Sequence, residues 1–221
     1  MYPHRIRLRG PWECEPISKS LAPRRVTMPG RWTDAGLADF RGDARFVRKF
    51  GYPGRADPAT EHIWLICDGC TGCRDVRLNG QLLTDQSCDR FAFDVTRIMD
   101  QRNRLEVLIQ GDSDEAGLWG EVALEMRRHA YLADVKVERA ASGLVITGAV
   151  IGISPQPLDL YVLVDNRHAD YRTIVPAATG EEFRIELAEI ASSHQLVRLE
   201  LIHISSIWYA VELPIPRWHS A

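Results

Sequence analysis

The chain has 221 residues, of which 45% are hydrophobic and 26% are charged, and its formal net charge is −3 at pH 7. This composition supports a packed core and excludes a disordered or fibrous chain. The small net charge gives no overall field that would attract nucleic acid or an acidic membrane, so neither is expected as a partner. The length is too short for a (β/α)8 barrel of about 250 residues together with a second domain.

The N-terminal sequence shows no pattern of export or membrane insertion. Ile6–Arg9 alternates between apolar and charged side chains, unlike the continuous apolar block of a signal peptide. No stretch approaches the roughly 18 apolar residues that a membrane span needs. Five cysteines, an odd number, are typical of free thiols in a reducing compartment. The sequence therefore predicts a cytoplasmic protein.

Segments in the first half of the chain alternate with period two, which is the pattern of β-strands. Alternation marks Ile6–Arg9 and Arg45–Phe50, whereas Glu61–Cys67 is apolar on both faces, as a central strand is. The Asn-Gly pair within Val76–Leu82 predicts a hairpin with a type I′ turn. Thr96–Asp100 has room for one helical turn, and helices are otherwise nearly absent. Two further strands are predicted from the alternating positions Phe91, Phe93, Val95, Leu105, Val107 and Ile109.

A second set of short strands begins near residue 130. Seven strands within about 90 residues, separated by turn signals, follow the pattern of an immunoglobulin-like sandwich. The paired cysteines and central tryptophan of antibody domains are absent, so only the sandwich architecture follows. We therefore predict an all-β protein with two domains, residues 1–129 and 130–221. The strands predicted for the second domain are Tyr131–Arg139, Gly143–Gly152, Leu158–Asp165, Tyr171–Val175, Glu182–Glu189, Leu196–His203 and Ile207–Leu213.

Four cysteines, Cys67, Cys70, Cys73 and Cys88, raise the question of a metal site. The first three share the spacing of an iron–sulfur motif, but the fourth cysteine of the bacterial motif is missing. A tetrahedral zinc site would need Cys88 or a histidine, and the predicted hairpin returns Cys88 towards Cys73. Because Cys67 continues an apolar strand and Cys70 occupies a valine-like position, we predict buried thiols without a metal, and no cofactor.

Loops supply the candidate ligand-binding residues. The acidic cluster Asp112–Glu115 lies between two predicted strands and is expected to be solvated rather than catalytic. Trp32 and Tyr52 fall in loops, where an exposed aromatic ring can stack against a sugar, although packing at a sandwich edge explains both equally well. The sequence has no Gly-x-Ser-x-Gly nucleophile motif and no glycine-rich phosphate loop before a helix.

Seven short motifs, in the same order along the chain, resemble one family. Residues 12–128 resemble the N-terminal sugar-binding domain of glycoside hydrolase family 2, the β-galactosidase and β-glucuronidase group. Each motif alone is weak, but seven in the family's order over about 115 residues are fairly specific. The motifs are Val26–Trp32 (VTMPGRW), Phe46–Phe50 (FVRKF), Asp68–Cys70 (DGC), Val76–Gly80 (VRLNG), Phe93–Thr96 (FDVT), Asn103–Val107 (NRLEV) and Gly117–Val122 (GLWGEV).

The resemblance implies a jelly-roll β-sandwich of the galactose-binding type, followed by an immunoglobulin-like sandwich. It also implies that Trp119 lies in the core. In the family, two glutamates of a third domain, a (β/α)8 barrel, carry out hydrolysis. The chain ends at Ala221, where that barrel would begin, so no catalytic residue is carried over and no catalytic activity is expected.

We therefore expect a non-catalytic module that binds carbohydrate or mediates protein contacts. The expected ligand-binding residues, placed on loops at one end of the first sandwich, are Trp32, Tyr52, Arg90, Asp112 and Asp114. An alternative is an accessory subunit of a β-galactosidase-like hydrolase whose barrel is on another chain. A third reading is a purely structural module that kept the fold and lost the ligand site. Partners under these readings are a carbohydrate, a hydrolase or a second copy of the chain.

Overall fold

The computed structural model describes residues 4–17, 21–31, 33–54, 60–140, 143–188, 190–191 and 193–216. This part of the chain forms nineteen β-strands and no helix, which confirms the predicted all-β class. Nowhere in these ranges does a helix reach the length and apolarity that a membrane span requires. The chain divides into two compact units: the first comprises Arg5–Met126, and the second comprises the chain from Arg127 onwards together with His4. The assignment of residues 1–129 and 130–221 to two separate domains stays a prediction.

Two larger antiparallel sheets and one short ribbon form the first unit. A four-stranded sheet has the order β1-β12-β6-β9, a six-stranded sheet has the order β3-β2-β5-β10-β7-β8, and β4 pairs with β11. The strand bounds are β1 (His4–Arg7), β2 (Trp12–Pro16), β3 (Arg24–Val26), β4 (Gly30–Arg31), β5 (Gly42–Gly51), β6 (Glu61–Cys67), β7 (Cys73–Leu78), β8 (Gln81–Thr84), β9 (Phe91–Asp94), β10 (Arg102–Gly111), β11 (Gly117–Leu118) and β12 (Val122–Arg128).

The core of the first unit lies between the four-stranded and six-stranded sheets. Leu65 of β6 and Val107 of β10 belong to one buried cluster, so the two sheets face each other as a sandwich. Leu105, Val107 and Ile109 are all fully buried, as their alternation predicts. The intervening Glu106 is only partly buried and pairs with Arg104 and Arg45 on the opposite face of the sheet. Alternating polarity along β10 therefore fixes which face meets the core.

The predicted hairpin is confirmed between β7 and β8. Asn79 has φ 53° and Gly80 has φ 82°, the two positive values that a type I′ turn requires. The Asn79 amide is also held from outside the turn, because its Nδ2 donates to the Ile98 carbonyl at 2.8 Å and its Oδ1 accepts from the Arg104 N–H at 2.9 Å. The turn is thereby fastened to the start of β10.

A short polar motif joins β9 to β6. Asp94 accepts hydrogen bonds from the backbone N–H and the hydroxyl of Thr96. The same hydroxyl oxygen accepts from the Ile63 N–H at 2.9 Å, which extends the β6–β9 pairing by a side-chain contact. The Met99 N–H then donates to the Val95 carbonyl at 3.1 Å, so the predicted single helical turn forms directly after the strand.

The second unit is a sandwich of seven strands. Its sheets have the orders β13-β14-β17 and β16-β15-β18-β19, and one buried cluster with members from both sheets forms its core. All seven predicted strands are present, with ends that differ by up to four residues. The strands are β13 (Ala130–Ala140), β14 (Gly143–Gly152), β15 (Leu158–Val164), β16 (Arg167–Ile174), β17 (Glu181–Ala188), β18 (Leu196–His203) and β19 (Ser206–Pro214).

The largest difference from prediction is at β16, which begins at Arg167 rather than Tyr171. Asp165 and Asn166 have φ 47° and 65°, so a tight turn sends the chain back directly after β15. The strand lies at the edge of its sheet, and all but one of its side chains are exposed or only partly buried. An edge strand with one buried position shows no apolar alternation, which is why the pattern missed its first half.

Candidate functional site

The predicted ligand-binding residues do not form one cluster. β5 and β10 are antiparallel neighbours that pair without interruption from Gly51↔Arg102 to Gly42↔Gly111. Tyr52 follows β5 at one end of this ladder, and Asp112 follows β10 at the other. The nine residue steps between them correspond to about 30 Å along the strands. Tyr52 is 39% exposed and lies away from the remaining described candidates.

Arg90, Asp112 and Asp114 lie at a common end of the first unit. Asp114 is only partly exposed, and it accepts a hydrogen bond at 3.0 Å from Arg41, the residue directly before β5. Arg90 is exposed and follows Asp89, whose carbonyl accepts from the Cys70 N–H at 2.7 Å. That end contains the segment 68–72 between β6 and β7, which we call the cysteine loop. Trp32 lies outside the described residues.

The expectation that Trp119 lies in the core is wrong. Leu118 is fully buried, whereas Trp119 is 44% exposed. Successive side chains of an extended segment point to opposite faces, so Trp119 points outward where Leu118 points into the core. The indole N–H donates to the Thr71 hydroxyl at 2.9 Å, which fixes the ring above the cysteine loop.

Two glycines allow the Trp119 ring to lie on the loop. A Cβ atom at Gly69 would stand 2.4 Å from two atoms of the six-membered ring, so the indole occupies the space that any larger residue would need. The Gly120 N–H donates to the Gly69 carbonyl at 2.7 Å, and a Cβ at Gly120 would be 2.1 Å from the Gly69 nitrogen. The two backbone segments therefore touch directly and hold the ring in a fixed position.

A network of charges extends from the same loop. Arg5 donates to the fully buried Glu125 carboxylate at 2.6 Å and to Asp68 at 3.1 Å. Its Nη1 is also 3.8 Å from a Glu121 oxygen, and Arg7 pairs with Glu121 as well. Burial of the Glu125 charge is compensated by the guanidinium of Arg5. We call Arg5, Asp68, Gly69, Thr71, Trp119 and Glu121 the Trp119 surface.

Beneath this surface, three thiols lie together. The Sγ atoms of Cys70, Cys73 and Cys88 are all within 4.8 Å of one another. Cys73 and Cys88 face each other across an antiparallel bridge, as the predicted hairpin implies, and the Cys70 thiol donates to the Cys88 carbonyl at 3.2 Å. All three cysteines are free thiols.

Cys67 and Cys70 are neutral thiols rather than nucleophiles. The hydrogen bond with Cys70 and burial both raise the pKa of the Cys67 thiol. The hydrogen bond from Cys67 lowers the pKa of Cys70, but the contact with Cys73 and burial outweigh it and raise that pKa overall. A thiol with a raised pKa is a poor nucleophile at neutral pH, so this arrangement does not resemble a catalytic cysteine.

Sequence reasoning missed the Trp119 surface because its parts are far apart in the chain. Arg5 and Glu125 are 120 residues apart, and Thr71 and Trp119 are 48 residues apart. The available signal was the pair of glycines at positions 69 and 120, which indicates a close approach of two backbones but not which ones.

Comparison with known proteins identifies the fold. The GH2 β-galacturonidase from Eisenbergiella tayi, bound to galacturonate, superposes with a TM-score of 0.74 at 16% identity, covering 97% of this chain and 43% of the enzyme. The Bifidobacterium dentium β-glucuronidase complexed with coumarin-3-O-glucuronide gives 0.70 at 21% identity, covering 98% and 49%. This chain has the fold of part of a family 2 glycoside hydrolase. The resemblance derived from the sequence motifs is confirmed at the level of the fold.

Other matches to the family 2 fold are equally distant in sequence. A putative β-galactosidase from Bacteroides fragilis gives a TM-score of 0.70 at 11% identity, covering 97% of this chain and 41% of that protein. The chain thus spans less than half the length of the structures with which it shares the family 2 fold. No protein-family model and no curated protein matches the sequence.

Proposed function

We propose that the chain is a non-catalytic carbohydrate-binding module related to the accessory domains of family 2 glycoside hydrolases. In this proposal, residues 1–129 form a galactose-binding-like jelly-roll that carries the ligand site, and residues 130–221 form an immunoglobulin-like domain. The site is the Trp119 surface, at the end of the sandwich that also holds Arg90, Asp112 and Asp114. The observation that carries the proposal is the exposed, immobilised ring of Trp119.

An exposed tryptophan held in place is suited to stacking against a sugar. The C–H groups of a pyranose ring pack against the negative face of an aromatic ring. Gly69 supports the ring of Trp119, and Thr71 accepts its N–H, so binding would cost little side-chain entropy. Asp68 and Glu121 next to the ring offer carboxylate acceptors for sugar hydroxyl groups.

The charges at and next to the Trp119 surface favour a neutral sugar. The ion-pair network joins two guanidinium groups, Arg5 and Arg7, to three carboxylates, those of Asp68, Glu121 and Glu125. A uronate would add a further negative charge to a network that already has more carboxylates than guanidiniums. We therefore propose a neutral, hydroxyl-rich glycan, in contrast to the galacturonate and glucuronide bound by two of the enzymes with the same fold.

The contribution of Trp119 follows from its exposed area. Burial of a tryptophan removes up to about 250 Å², so an exposed fraction of 44% corresponds to about 110 Å². A sugar that covers half of this area gains about 1.4 kcal/mol at about 25 cal/mol per Å², which is about tenfold in Kd.

The test combines a glycan array with titration calorimetry. Array hits, together with galactose, glucose and glucuronate, are titrated against the full chain and against Trp119→Ala and Tyr52→Ala. We expect Trp119→Ala to weaken binding of a neutral sugar about tenfold or more. Tyr52→Ala is the matched control, because its ring is similarly exposed but lies at the opposite end of the ladder. Absence of binding to any sugar at millimolar concentration would refute the proposal, and equal losses in both variants would refute the assigned site.

A second candidate function is that of an accessory component of a hydrolase. The enzymes with the same fold are more than twice as long as this chain, so the exposed Trp119 surface is also suited to contact a further hydrolase domain. Co-purification with a (β/α)8-barrel protein identified by mass spectrometry, lost in Trp119→Ala and kept in Tyr52→Ala, would favour this function. Sugar binding by the isolated chain would favour the first.

A further inference from the structure

Cys70, Cys73 and Cys88 come from two separate segments, and backbone contacts hold both segments in place. The Cys70 N–H donates to the Asp89 carbonyl at 2.7 Å, and Cys73 pairs with Cys88 across an antiparallel bridge. Between the first two cysteines, Gly72 has φ 81° and accepts from the Gln110 N–H at 2.8 Å. The turn is therefore fixed, and it brings two thiols of a C-x2-C sequence to the same side.

The spacing of the three sulfur atoms suits a tetrahedral ion. A Zn–S bond is about 2.3 Å long, so two thiolates on one zinc ion are about 3.8 Å apart. The three Sγ atoms already lie within 4.8 Å of one another. Rotation of the cysteine side chains that moves each sulfur by less than about an ångström would bring them to the separation of about 3.8 Å found around one zinc ion. Thiolates are the ligands that select zinc over magnesium or calcium.

We propose that Cys70, Cys73 and Cys88 bind one Zn²⁺ ion through their three sulfur atoms. As each Zn–S bond forms, the thiol proton passes to the solvent. Cys88 is only partly buried, whereas Cys70 and Cys73 are fully buried, so the ion enters from the Cys88 side and keeps its fourth position open there. Cys67 is not a ligand: its thiol donates to the Gly69 carbonyl at 3.4 Å, and it lies outside the mutually close set.

The zinc ion would tie the cysteine loop to the segment that precedes β9. These are the two backbone segments that lie beneath the Trp119 ring and beside Arg90. The metal site is independent of carbohydrate binding, because it rests on the sulfur positions alone. It departs from the sequence-based expectation of unliganded thiols, because the structure brings the Cys88 sulfur next to those of Cys70 and Cys73, as the zinc alternative requires.

The test uses the full chain, purified with reductant and stripped by a chelator. Titration with Co²⁺ should produce thiolate-to-metal charge-transfer absorption and the visible bands of a tetrahedral ion, at one equivalent. Zn²⁺ should then displace the Co²⁺, bleach these bands and raise the midpoint of thermal unfolding. Mass spectrometry under native conditions gives the stoichiometry independently.

Three variants assign the ligands. Cys88→Ser and Cys73→Ser should both lose the charge-transfer band and the zinc-dependent rise in thermal midpoint. Cys14→Ser is the matched control: Cys14 is a buried thiol of the same core, outside the cluster, and burial raises its pKa to about 12. It should bind metal as the unaltered chain does. Cys88 is partly exposed, so Cys88→Ser remains informative if Cys73→Ser does not fold.

Three results would overturn the proposal. One is a wild-type chain that shows no sulfur-to-cobalt absorption. Another is zinc binding that survives both Cys73→Ser and Cys88→Ser. The third is recovery of Cys73 and Cys88 as a disulfide that persists in the presence of reductant and so leaves no thiolates for the ion.

Discussion

The buried side chain of Asn103 links the β7–β8 hairpin to the start of β10. Its Oδ1 accepts hydrogen bonds from the Asp100 N–H at 2.8 Å and from the Asn79 amide at 2.9 Å. Its own amide donates to the Asp100 carbonyl at 2.6 Å. We predict that Asn103→Ala destabilises the first unit, because the substitution removes all three hydrogen bonds and leaves their partners without Asn103.

The size of the effect follows from where these groups lie. Each hydrogen bond between neutral groups contributes about 1 kcal/mol net, and a buried group left unpaired costs more than that. Asn103 itself is 3% exposed, whereas its partners Asn79 and Asp100 are exposed and rehydrate at least in part. The free energy of unfolding should therefore fall by about 3 kcal/mol, or more than 100-fold in the equilibrium constant.

Urea unfolding followed by tryptophan fluorescence provides the measurement, because Trp12 and Trp64 lie in the first unit. The control is Gln101→Ala, which changes an exposed neighbour and should leave the stability within about 0.5 kcal/mol of the original chain. A loss below about 1 kcal/mol for Asn103→Ala, or a loss equal to that of the control, would show that the network does not carry the stability assigned to it.

Two further predictions concern Gly69 and Asp94. Gly69→Ala places a methyl group 2.4 Å from the Trp119 ring and displaces the ring. Calorimetry should therefore show weaker sugar binding, while circular dichroism shows an unchanged fold. Unaltered affinity would contradict the assignment of the Trp119 ring as the surface on which the sugar stacks. Burial favours a higher pKa for Asp94, but hydrogen bonds from Thr96 and His62 outweigh it and hold that pKa below its ordinary value. The ionised carboxylate therefore stabilises the fold above the unfolded-state pKa, and this contribution disappears as the pH falls through the folded-state pKa. Asp94→Asn should lower the thermal midpoint at pH 7 and flatten its decline below about pH 4, and an unchanged decline would contradict this assignment.

Strand positions in the second unit were predictable because most of its strands pack one face against the core. β15 alternates from Leu158 to Val164, and its buried residues are those that the alternation selects. The two-residue strands β4 and β11 were not predictable, since two residues contain no period. Their pairing depends on contacts between segments about 86 residues apart, which no local pattern describes.

The candidate site was harder to predict than the fold. Tyr52 and Asp112 both follow strands, and the sequence offered no information on whether β5 and β10 are neighbours. Once these strands are known to be antiparallel partners, the loops after them must lie at opposite ends of the sheet. For Trp119, the motif Gly117–Val122 predicted return to the core, but it is the neighbouring Leu118 that enters the core, and adjacent residues of an extended segment point to opposite faces.

The Asn79–Gly80 turn also determines how readily Asn79 deamidates in the folded and in the unfolded chain. Asparagine followed by glycine is the dipeptide most prone to deamidation, because the glycine nitrogen readily attacks the side-chain carbonyl. In the folded chain, contacts with Ile98, Asn103 and Arg104 hold the Asn79 amide at both its nitrogen and its oxygen and oppose that attack. An unfolded chain has no such protection and would acquire an aspartate there. The new carboxylate would face the Ile98 carbonyl and the Asn103 oxygen with no proton to donate, so time spent unfolded would progressively reduce the fraction of chains able to refold.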